Sequence, residues 1–457
     1  MLRRSLTAAF ALAALVAAPA GAAPVRGQTL MPGVVYSRQV QFTAHGPVVL
    51  NVVSTPRPTG LYGLQAALSN GAVQGREPLT QMESELSKTT TAVGVNGDLF
   101  DARWGTPSSV LVRNGAVVTG SKGGRAVAGF DASGALHVDR VALTGTWKGT
   151  GQNRPLGLNE PPGRSAVTLY TPAWGTTTPP ENGTLEVVLA PFPATTPNTV
   201  LTAPITQIVQ NGGQPIPPNG AVLVARGNQV PVMTSEAPAG TTVSVRLILT
   251  PRWSDVREAV GGGPLLVHGG KAIFRPNELF TTTQLFTRTA RSAVGMTADG
   301  RLLFVTADGG RPGYSLGVTN FELGLALQRL GAVEACALGT GGSAALAFDG
   351  KLLSRPSGDG SVADALVVTY DGVYAPNPAP SGANVTLQYK LVRRSTVTAT
   401  LTGPDGSVTT LDSGAHDPGT YSFNRTGLAA GKWTFTASAV DDLGRRSSAD
   451  RTFTVGS

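Results

Sequence analysis

Short apolar runs separated by turn residues fill the first three-quarters of the chain. Four runs of strand length are rich in valine and other apolar residues: 48–53, 92–95, 110–112 and 302–305. Dipeptides that favour tight turns lie between such runs: Asn114-Gly115, Asp299-Gly300 and Asp349-Gly350. This pattern predicts many short strands, and no repeat with a period of 20 to 50 residues is visible.

Two segments have helical spacing. Thr319 and Glu322 have the Thr-x-x-Glu spacing of a capping box, in which each side chain bonds a free backbone amide of the first turn. Leucines recur near one face up to Leu330, and Gly331 ends the pattern. We therefore predict one helix from Thr319 to Leu330 and a more polar one over residues 79–89.

The last part of the chain alternates regularly between apolar and polar residues. It follows residues 375–381, where three prolines favour an extended linker and block helix formation. Three apolar sets each share one face: Val385, Leu387, Tyr389 and Leu391; Val397, Ala399 and Leu401; Trp433, Phe435, Ala437 and Ala439. This period of two predicts a small β-sandwich over residues 382–457. Residues 439–445 resemble the immunoglobulin-like module of bacterial surface and flagellar-hook-cap proteins, for which a spacer role and a ligand-binding role both remain open.

The fold class that these patterns predict is α+β and β-rich. A mixed-sheet domain with few helices is expected over residues 23–374, followed by the C-terminal β-sandwich. Residues 150–240 are rich in Thr, Pro, Gly and Asn and are predicted to be an extended insertion with its own strands. Gly (58) and Pro (33) together make about a fifth of the 457 residues, which is below the ~25–30% of low-complexity chains.

The first 22 residues have the pattern of a secretory signal peptide. Arg3 and Arg4 form a basic start, residues 8–18 are an apolar run, and residues 20–22 supply a small-x-small cleavage pattern. The apolar run is far shorter than the ~20 residues that span a bilayer, which argues against a membrane anchor. We therefore predict cleavage near Ala22 and a secreted, periplasmic or cell-envelope protein without a membrane span. Without an internal disulfide, a bacterial source is favoured.

Charge and metal-ligating residues exclude several classes of function. The net charge of +8 is spread thinly without a Lys/Arg run, so a nucleic-acid partner is not expected. The four histidines are isolated from one another in sequence, so no zinc site is expected: His45, His137, His268 and His416. No cofactor is predicted, although Ca²⁺ bound by surface carboxylates stays open. Cys336 lies in an apolar stretch and is predicted to be a buried, inert thiol.

The candidate functional residues lie near the ends of the apolar runs. They comprise an amide, carboxylates, guanidinium groups and a glycine-rich turn with a hydroxyl: Asn96, Asp98, Arg291, Asp308, Arg311, Glu322, Gly341, Gly342 and Ser343. Each has an ordinary structural alternative, since Asp-Gly and glycine-rich segments form tight turns and Glu322 would cap a helix. Their order along the chain, rather than any single residue, carries the functional interpretation.

In that order the chain resembles the phosphodiester glycosidase family from about Leu30 to Tyr374. The resemblance depends on these segments: 95–100 (VNGDLF), 262–267 (GGPLLV), 291–295 (RSAVG), 308–333, 341–343 (GGS) and 363–368 (ADALVV). It implies hydrolysis of a sugar-1-phosphodiester in an envelope glycan or related polymer. Such a reaction passes through an oxocarbenium-like state that carboxylates assist, and its phosphate leaving group is stabilised by a guanidinium.

The resemblance also implies roles for the candidate residues. We assign Arg291 to the phosphate, Asp308 and Glu322 to the catalytic carboxylates, and Asp98 and Asn96 to ordering the site or holding sugar hydroxyls. The remaining four are assigned to substrate binding: Arg311, Gly341, Gly342 and Ser343. The partner would be a sugar-phosphate or glycan, and all these side chains are expected to meet in one pocket.

Three departures from the family pattern leave a second interpretation open. The usual Leu-Asp-Gly-Gly-Gly-Ser has Gly339 in place of its Asp, and the usual Asp-Gly-Arg has its Arg one position later, at Arg311. A Glu-Arg pair expected before the last core strand is replaced near Asp359-Gly360. The alternatives are therefore an active hydrolase and a catalytically impaired protein that binds carbohydrate or phosphate. A purely structural surface protein is a third.

Overall fold

The computed structural model describes residues 27–121, 123–164, 166–274 and 277–456. The predicted signal peptide over residues 1–22 lies outside these ranges. Within them, no helix combines the length and apolarity that a bilayer crossing requires.

Antiparallel sheets form the body of the molecule. The first ten strands are β1 (Gln28–Met31), β2 (Val34–Thr43), β3 (Gly46–Thr55), β4 (Tyr62–Leu68), β5 (Glu77–Pro78), β6 (Thr91–Asn96), β7 (Leu111–Arg113), β8 (Ala116–Thr119), β9 (Ala126–Asp131) and β10 (Leu136–Arg140). The next seven are β11 (Ala142–Lys148), β12 (Arg154–Leu158), β13 (Val167–Tyr170), β14 (Leu185–Leu189), β15 (Val200–Gln210), β16 (Ala221–Ala225) and β17 (Thr242–Thr250). Ten more follow: β18 (Val256–Gly261), β19 (Leu265–His268), β20 (Lys271–Ala272), β21 (Arg291–Thr297), β22 (Leu302–Ala307), β23 (Ala332–Thr340), β24 (Leu346–Phe348), β25 (Lys351–Leu352), β26 (Ser361–Val362) and β27 (Asp364–Tyr370).

Three sheets enclose the main core. The largest has the order β1-β2-β3-β22-β21-β23-β19-β20, and two five-stranded sheets have the orders β25-β24-β6-β27-β4 and β10-β9-β18-β7-β8. Apolar residues of all three sheets meet in one cluster, for example Phe304, Val95 and Val260. Strands such as β6 are buried on both faces, which explains their continuous apolar sequence. Cys336 lies fully buried in this cluster, as predicted, and burial raises the pKa of its thiol.

Four helices pack at the periphery: α1 (Leu79–Leu86), α2 (Gln229–Glu236), α3 (Thr282–Phe286) and α4 (Asn320–Arg329). The capping box of α4 is confirmed, because the Thr319 hydroxyl accepts from the Glu322 amide and the Glu322 carboxylate accepts from the Thr319 amide. Leu323 and Leu327 bury against the outer face of the eight-stranded sheet. The second predicted helix is also present, as α1.

A closed seven-stranded barrel follows β10. Its order is β11-β12-β13-β16-β14-β15-β17, and it includes the parallel pair β12–β13. It spans Ala142 to Thr250 and so extends at both ends beyond the insertion expected over residues 150–240. The barrel begins earlier because β11 pairs with β17 along its whole length, which makes both strands part of the closure.

The C-terminal β-sandwich is present. Its strands are β28 (Val385–Leu391), β29 (Ser395–Thr402), β30 (Val408–His416), β31 (Gly419–Arg425), β32 (Gly431–Asp441) and β33 (Arg446–Val455). A two-stranded sheet, β28-β31, faces the four-stranded sheet β30-β29-β32-β33. The three predicted apolar faces form the core between them, with only Trp433 partly exposed. The β-rich fold class is therefore confirmed, with a sandwich after the main domain.

Arg451 ties the sandwich to the main domain. This β33 residue is 5% exposed and donates to the backbone oxygens of Ala375 (2.6 Å), Leu30 (2.9 Å) and Thr29 (3.4 Å). Lys390 makes a second link, to the carbonyl oxygens of Ser87 and Thr90. Polar bonds to β1 and to the start of the linker thus hold the last strand in place.

We expect Arg451→Ala to lower the free energy of unfolding by about 2–3 kcal/mol, because it leaves buried carbonyl oxygens without their charged donor. Urea denaturation of the whole chain measures this. The matched control is Arg446→Ala, since Arg446 is exposed on the same strand. Equal losses in the two variants would show that Arg451 does not anchor the sandwich.

Candidate functional site

One end of the eight-stranded sheet gathers most of the predicted residues. Arg291 begins β21 and pairs with Ala307 at the end of β22 and with Thr340 at the end of β23. Asn96 ends β6 in the neighbouring sheet, and its side chain contacts Ser292. Antiparallel pairing therefore brings residues that are far apart in the sequence to one edge.

A cavity of about 310 Å³ opens beside Arg291. The residues that line it are mostly small, hydroxylated or apolar: Leu99, Gly263, Phe280, Thr283, Gln284, Thr287, Thr289, Arg291, Asn320, Leu338, Thr340 and Gly341. Of the nine predicted site residues, two are among them, Arg291 and Gly341. Among the described residues that line this cavity, none is an aspartate or a glutamate.

Neutral oxygens hold the Arg291 guanidinium. Nε donates to the Val318 carbonyl (2.8 Å), Nη1 to the Asn320 side chain (3.0 Å), and Nη2 to the carbonyls of Gln284 (2.8 Å) and Thr287 (2.9 Å). Burial lowers the pKa of Arg291 to about 10, so the group stays charged at neutral pH. Arg291 makes no ion pair among the described residues. A guanidinium has five N–H donors, so these four bonds leave one Nη1 hydrogen without a partner. A buried, uncompensated cation beside a cavity is suited to an anion.

Asn96 serves the packing of the site. Its Oδ1 accepts from the Ser292 hydroxyl (2.6 Å) and from the Ala345 amide (3.0 Å). The Gly339 amide donates to the Gly97 carbonyl (2.6 Å) directly beside it. A Cβ at Gly339 would lie 2.7 Å from Asn96 Nδ2, so the carboxylate of the family pattern does not fit at this position without a shift.

Asp98 and Asp364 form a buried carboxylate pair. Asp364 Oδ1 accepts from the Asp98 amide (2.8 Å), while Asp98 accepts from the amides of Leu99 (2.7 Å) and Ser109 (2.6 Å). Burial raises the pKa of Asp98 to about 6 despite these donors, and burial together with the Asp98 charge raises that of Asp364 further. Gly261 allows this packing, since a Cβ there would lie 2.4 Å from Asp98 Oδ2. Both carboxyl groups shape the turn after β6.

Asp308 lies one residue beyond the Arg291–Ala307 pair. Its carboxylate accepts from the Tyr314 hydroxyl (2.7 Å), the Asn51 side chain (3.0 Å) and the Arg355 amide (2.9 Å). It is 2% exposed, and burial raises its pKa. Asp308 is thus adjacent to the Arg291 strand but belongs to a separate hydrogen-bonded cluster.

Glu322 faces a different cavity. It forms a bidentate ion pair with Arg288 (2.7 and 2.5 Å), and both line a second cavity of about 280 Å³. Burial acts to raise its pKa, but the Thr319 amide and Arg288 outweigh it and lower the pKa. The segment 287–289 separates the cavities, because Thr287 and Thr289 line the first and Arg288 the second. Glu322 therefore caps α4, which is the structural alternative to a catalytic role. The expectation that it shares a pocket with Arg291 is wrong.

Of the remaining predicted residues, only Gly341 lines the Arg291 cavity. Gly341, Gly342 and Ser343 form a 3-10 turn after β23, but the Gly341 amide donates to Ala290 and the Ser343 hydroxyl to Thr340. The Arg311 guanidinium donates to the Pro356 carbonyl (3.0 Å). The expectation of one shared pocket is therefore wrong. The predicted residues are divided among the cavity beside Arg291, the turn after β6 that contains Asp98, the hydrogen-bonded cluster around Asp308, and the capped start of α4 at Glu322.

Several residues of the site were missed from sequence. Asn320 and Gln284 hold Arg291, Tyr314 and Arg355 hold Asp308, and Asp364 pairs with Asp98. Tyr314, Asn320 and Asp364 lie inside segments of the family resemblance, which is the one signal that could have indicated them. In the described residues, no group of three or more His, Cys, Asp or Glu side chains could hold a metal ion.

The Asp98–Asp364 pair predicts a pH dependence of stability. Unfolded carboxyl groups lose their protons near pH 4, whereas the folded pair keeps them to higher pH. The free energy of unfolding therefore decreases as pH rises from about 4 through about 6 for Asp98, and it continues to decrease while folded Asp364 keeps its proton. Asp364→Asn imitates the protonated acid, and we expect it to flatten this decrease. Urea denaturation between pH 4 and 7.5 measures it, with exposed Asp255→Asn as the control. An unchanged pH profile in Asp364→Asn would contradict the pairing.

Close packing at Gly339 makes a second prediction. We expect Gly339→Ala to lower the free energy of unfolding by about 1–3 kcal/mol, because the methyl group would overlap Asn96 and the Asp98 carbonyl oxygen. Gly94→Ala is the control, since a Cβ there meets its nearest neighbour, Val367, at 3.4 Å. Calorimetric unfolding compares the two variants. Similar melting temperatures would show that space for the missing carboxylate exists.

Comparison with solved structures shows proteins of the same fold. Two solved structures share the fold: a hypothetical protein from Synechocystis (TM-score 0.63, 24% identity, 77% of this chain and 64% of that one) and a Burkholderia pseudomallei protein assigned as exported (TM-score 0.54, 21% identity, 70% and 74%). The chain thus spans less than two-thirds of the length of the Synechocystis protein. The catalytic domain of zebrafish N-acetylglucosamine-1-phosphodiester alpha-N-acetylglucosaminidase aligns with a TM-score of 0.41 at 13% identity, over 75% and 84% of the two chains.

No protein of curated function matches the chain in sequence. The family model described as phosphodiester glycosidase matches residues 193–369, which include β21, β22, β23 and the whole Arg291 cavity except Leu99. The resemblance to the phosphodiester glycosidase family is therefore confirmed over residues 193–369.

Proposed function

We propose that the protein is an exported hydrolase that cleaves a sugar-1-phosphodiester bond in an envelope glycan or related polymer. The family match supports phosphodiester glycosidase-like activity for the region from 193 to 369. The observation that carries the proposal is Arg291, a buried guanidinium with neutral partners beside a cavity of about 310 Å³.

A phosphate fits the electrostatics of this cavity. A guanidinium in a water-poor site attracts an anion more strongly than it would in water, because the surroundings screen it less. The threonines and Asn320 in the lining add neutral hydrogen-bonding groups that suit phosphate oxygens or sugar hydroxyls. Since a phosphate is already a good leaving group, stabilising its developing charge contributes more than protonating it.

Asp308 is the carboxylate that we propose for the sugar side of the reaction. It follows Ala307, the strand partner of Arg291, and its side chain is oriented by Tyr314 and Asn51. In its ionised form it would stabilise the oxocarbenium-like state or activate water. Because burial raises the pKa of Asp308, this role requires a pH above the usual range of aspartate.

Export rests on two supports. The pattern of residues 1–22 is that of a signal peptide, and one protein that shares the fold is assigned as exported. An envelope glycan is proposed as the substrate because it is the sugar-phosphate polymer that an exported bacterial protein meets.

A second candidate is favoured by Gly339. The family carboxylate is absent there, its space is filled by Asn96, and no aspartate or glutamate belongs to the described lining of the cavity. Such a cavity is suited to holding a sugar phosphate without cleaving it. The second candidate is therefore a carbohydrate- or phosphate-binding protein on the same scaffold.

Turnover separates the two candidates. We expect the protein to release free sugar from uridine diphosphate sugars or methyl sugar-1-phosphodiesters, and Arg291→Gln to lower kcat/KM by about 10²–10³ because the leaving phosphate loses its cation. Arg329→Gln, on the exposed side of α4, is the control, and thermal melting shows whether each variant folds. Wild-type binding in calorimetry without turnover would favour the binding protein. If the wild-type protein shows no binding and no turnover, both candidates are contradicted.

A further inference from the structure

Two exposed arginines lie over the Tyr314 ring, and a third, Arg311, bonds the loop that carries one of them. Arg38 on β2 and Arg355 place their guanidinium carbons 5.6 and 4.8 Å from the centre of the Tyr314 ring. Arg311, three residues before Tyr314, is held by the carbonyl of Pro356 next to Arg355. We call Arg38, Arg311 and Arg355 the arginine patch.

Buried polar contacts fix the centre of the arginine patch. The Tyr314 hydroxyl donates to Asp308, whose carboxylate also accepts from the Arg355 amide and from Asn51. The Asn51 side chain in turn accepts from the Tyr36 hydroxyl (3.0 Å). Tyr314 is therefore a rigid platform, and cation–π contacts restrict the two guanidinium groups above it. Such preorganisation reduces the entropy that a ligand must overcome on binding.

The arginine patch carries positive charge that is offset only in part, by the electrostatic attraction between Asp308 and Arg38. Within the residues that the structure describes, none of its three arginines forms an ion pair. Asp308 is the carboxylate nearest in the network, but it is 2% exposed and its oxygens are occupied by three donors. Surface arginines usually pair with carboxylates or point separately into water. Two of them at one ring, with a third bonded to the same loop, favour an anion with several oxygens.

The arginine patch and the Arg291 cavity share one loop. Residues 355–360 carry Arg355 and Pro356 at one end, and at the other the Gly360 amide donates to the Gly342 carbonyl (3.1 Å). Gly342 follows Gly341, which lines the cavity and donates to Ala290, the residue before Arg291. A ligand that extends out of the cavity along this loop would therefore reach the arginine patch.

We propose that the arginine patch is a second phosphate subsite, and that the substrate is a polymer of repeated sugar-phosphodiester units rather than a single diester. This inference rests on the proposed function, because the first phosphate is assigned to Arg291. One phosphodiester lies in the cavity while a neighbouring one binds the exposed guanidinium groups. Nucleic acid, which also repeats phosphates, is an outcome of the test below.

Binding of matched probes tests the second subsite directly. The probes are a synthetic chain of three glucose-1-phosphodiester repeats and its single-repeat counterpart, measured by calorimetry with the full-length protein. We expect the three-repeat chain to bind at least about tenfold more tightly, since a second phosphate adds charge-assisted hydrogen bonds. The advantage should shrink as salt rises.

The double variant Arg38→Gln/Arg355→Gln should remove that advantage and leave binding of the single repeat within about twofold, because the cavity is unchanged. Arg57→Gln/Arg446→Gln is the control, since it removes the same charge from exposed positions outside the patch. Equal losses in both double variants, or an unchanged preference in the first, would overturn the subsite. Equally tight, patch-dependent binding of single-stranded DNA would overturn the sugar-phosphate assignment.

These readouts do not depend on catalysis. If the first double variant loses the three-repeat advantage and the wild-type protein shows no turnover, the subsite is supported and the hydrolase is rejected. Turnover with equal affinity for both probes would keep the hydrolase and reject the subsite. If the protein does turn over, the first double variant should raise KM for the three-repeat chain more than KM for the single repeat.

Discussion

The positive charge of Arg291 is the constraint around which the site is arranged. A guanidinium that is removed from water needs its hydrogen bonds replaced, and here the replacement comes from oxygens without a net charge. These oxygens come from α3, from the segment after it and from the start of α4, so all three must pack beside β21. Had a carboxylate filled this position, the charge would be neutralised internally and an incoming phosphate would gain little from the pair.

A second requirement acts at the turn after β6, where backbone and carboxyl groups approach very closely. Gly97, Gly261 and Gly339 all lie within reach of Asp98, Asp364 or Asn96, and a methyl group at any of them would overlap a polar atom. The turn after β6 therefore depends on the absence of side chains as much as on the carboxyl groups. The loss of the family aspartate at Gly339 is part of this packing and not an isolated change.

The elements that sequence predicts well are those whose causes are local. The capping box of α4 depends on Thr319 and Glu322, three residues apart, and the sandwich depends on alternation within each strand. The site depends on contacts between distant segments, such as Asp308 with Arg355 or Arg291 with Asn320, which have no local signature. Glu322 illustrates this difference. It fits both the local capping-box spacing and the family pattern of a catalytic carboxylate, and its contacts in the structure are those of the capping box. The barrel was underestimated for the same reason: closure by β11 and β17 is a long-range pairing.

The barrel is joined covalently to the rest of the main domain at β10 and β18, and its apolar residues pack into the surrounding core. The chain enters it after β10 and leaves it before β18, and both of these strands pair with β9. Its first and last strands also pair with each other, so its two ends leave the sheet side by side. The barrel is consequently not a detachable insertion. Because β10 and β18 run parallel to each other on either side of β9, a segment that replaced the barrel would have to cross over β9. It would also uncover Val112, Val127 and Ala259, which share one apolar cluster with the barrel strands.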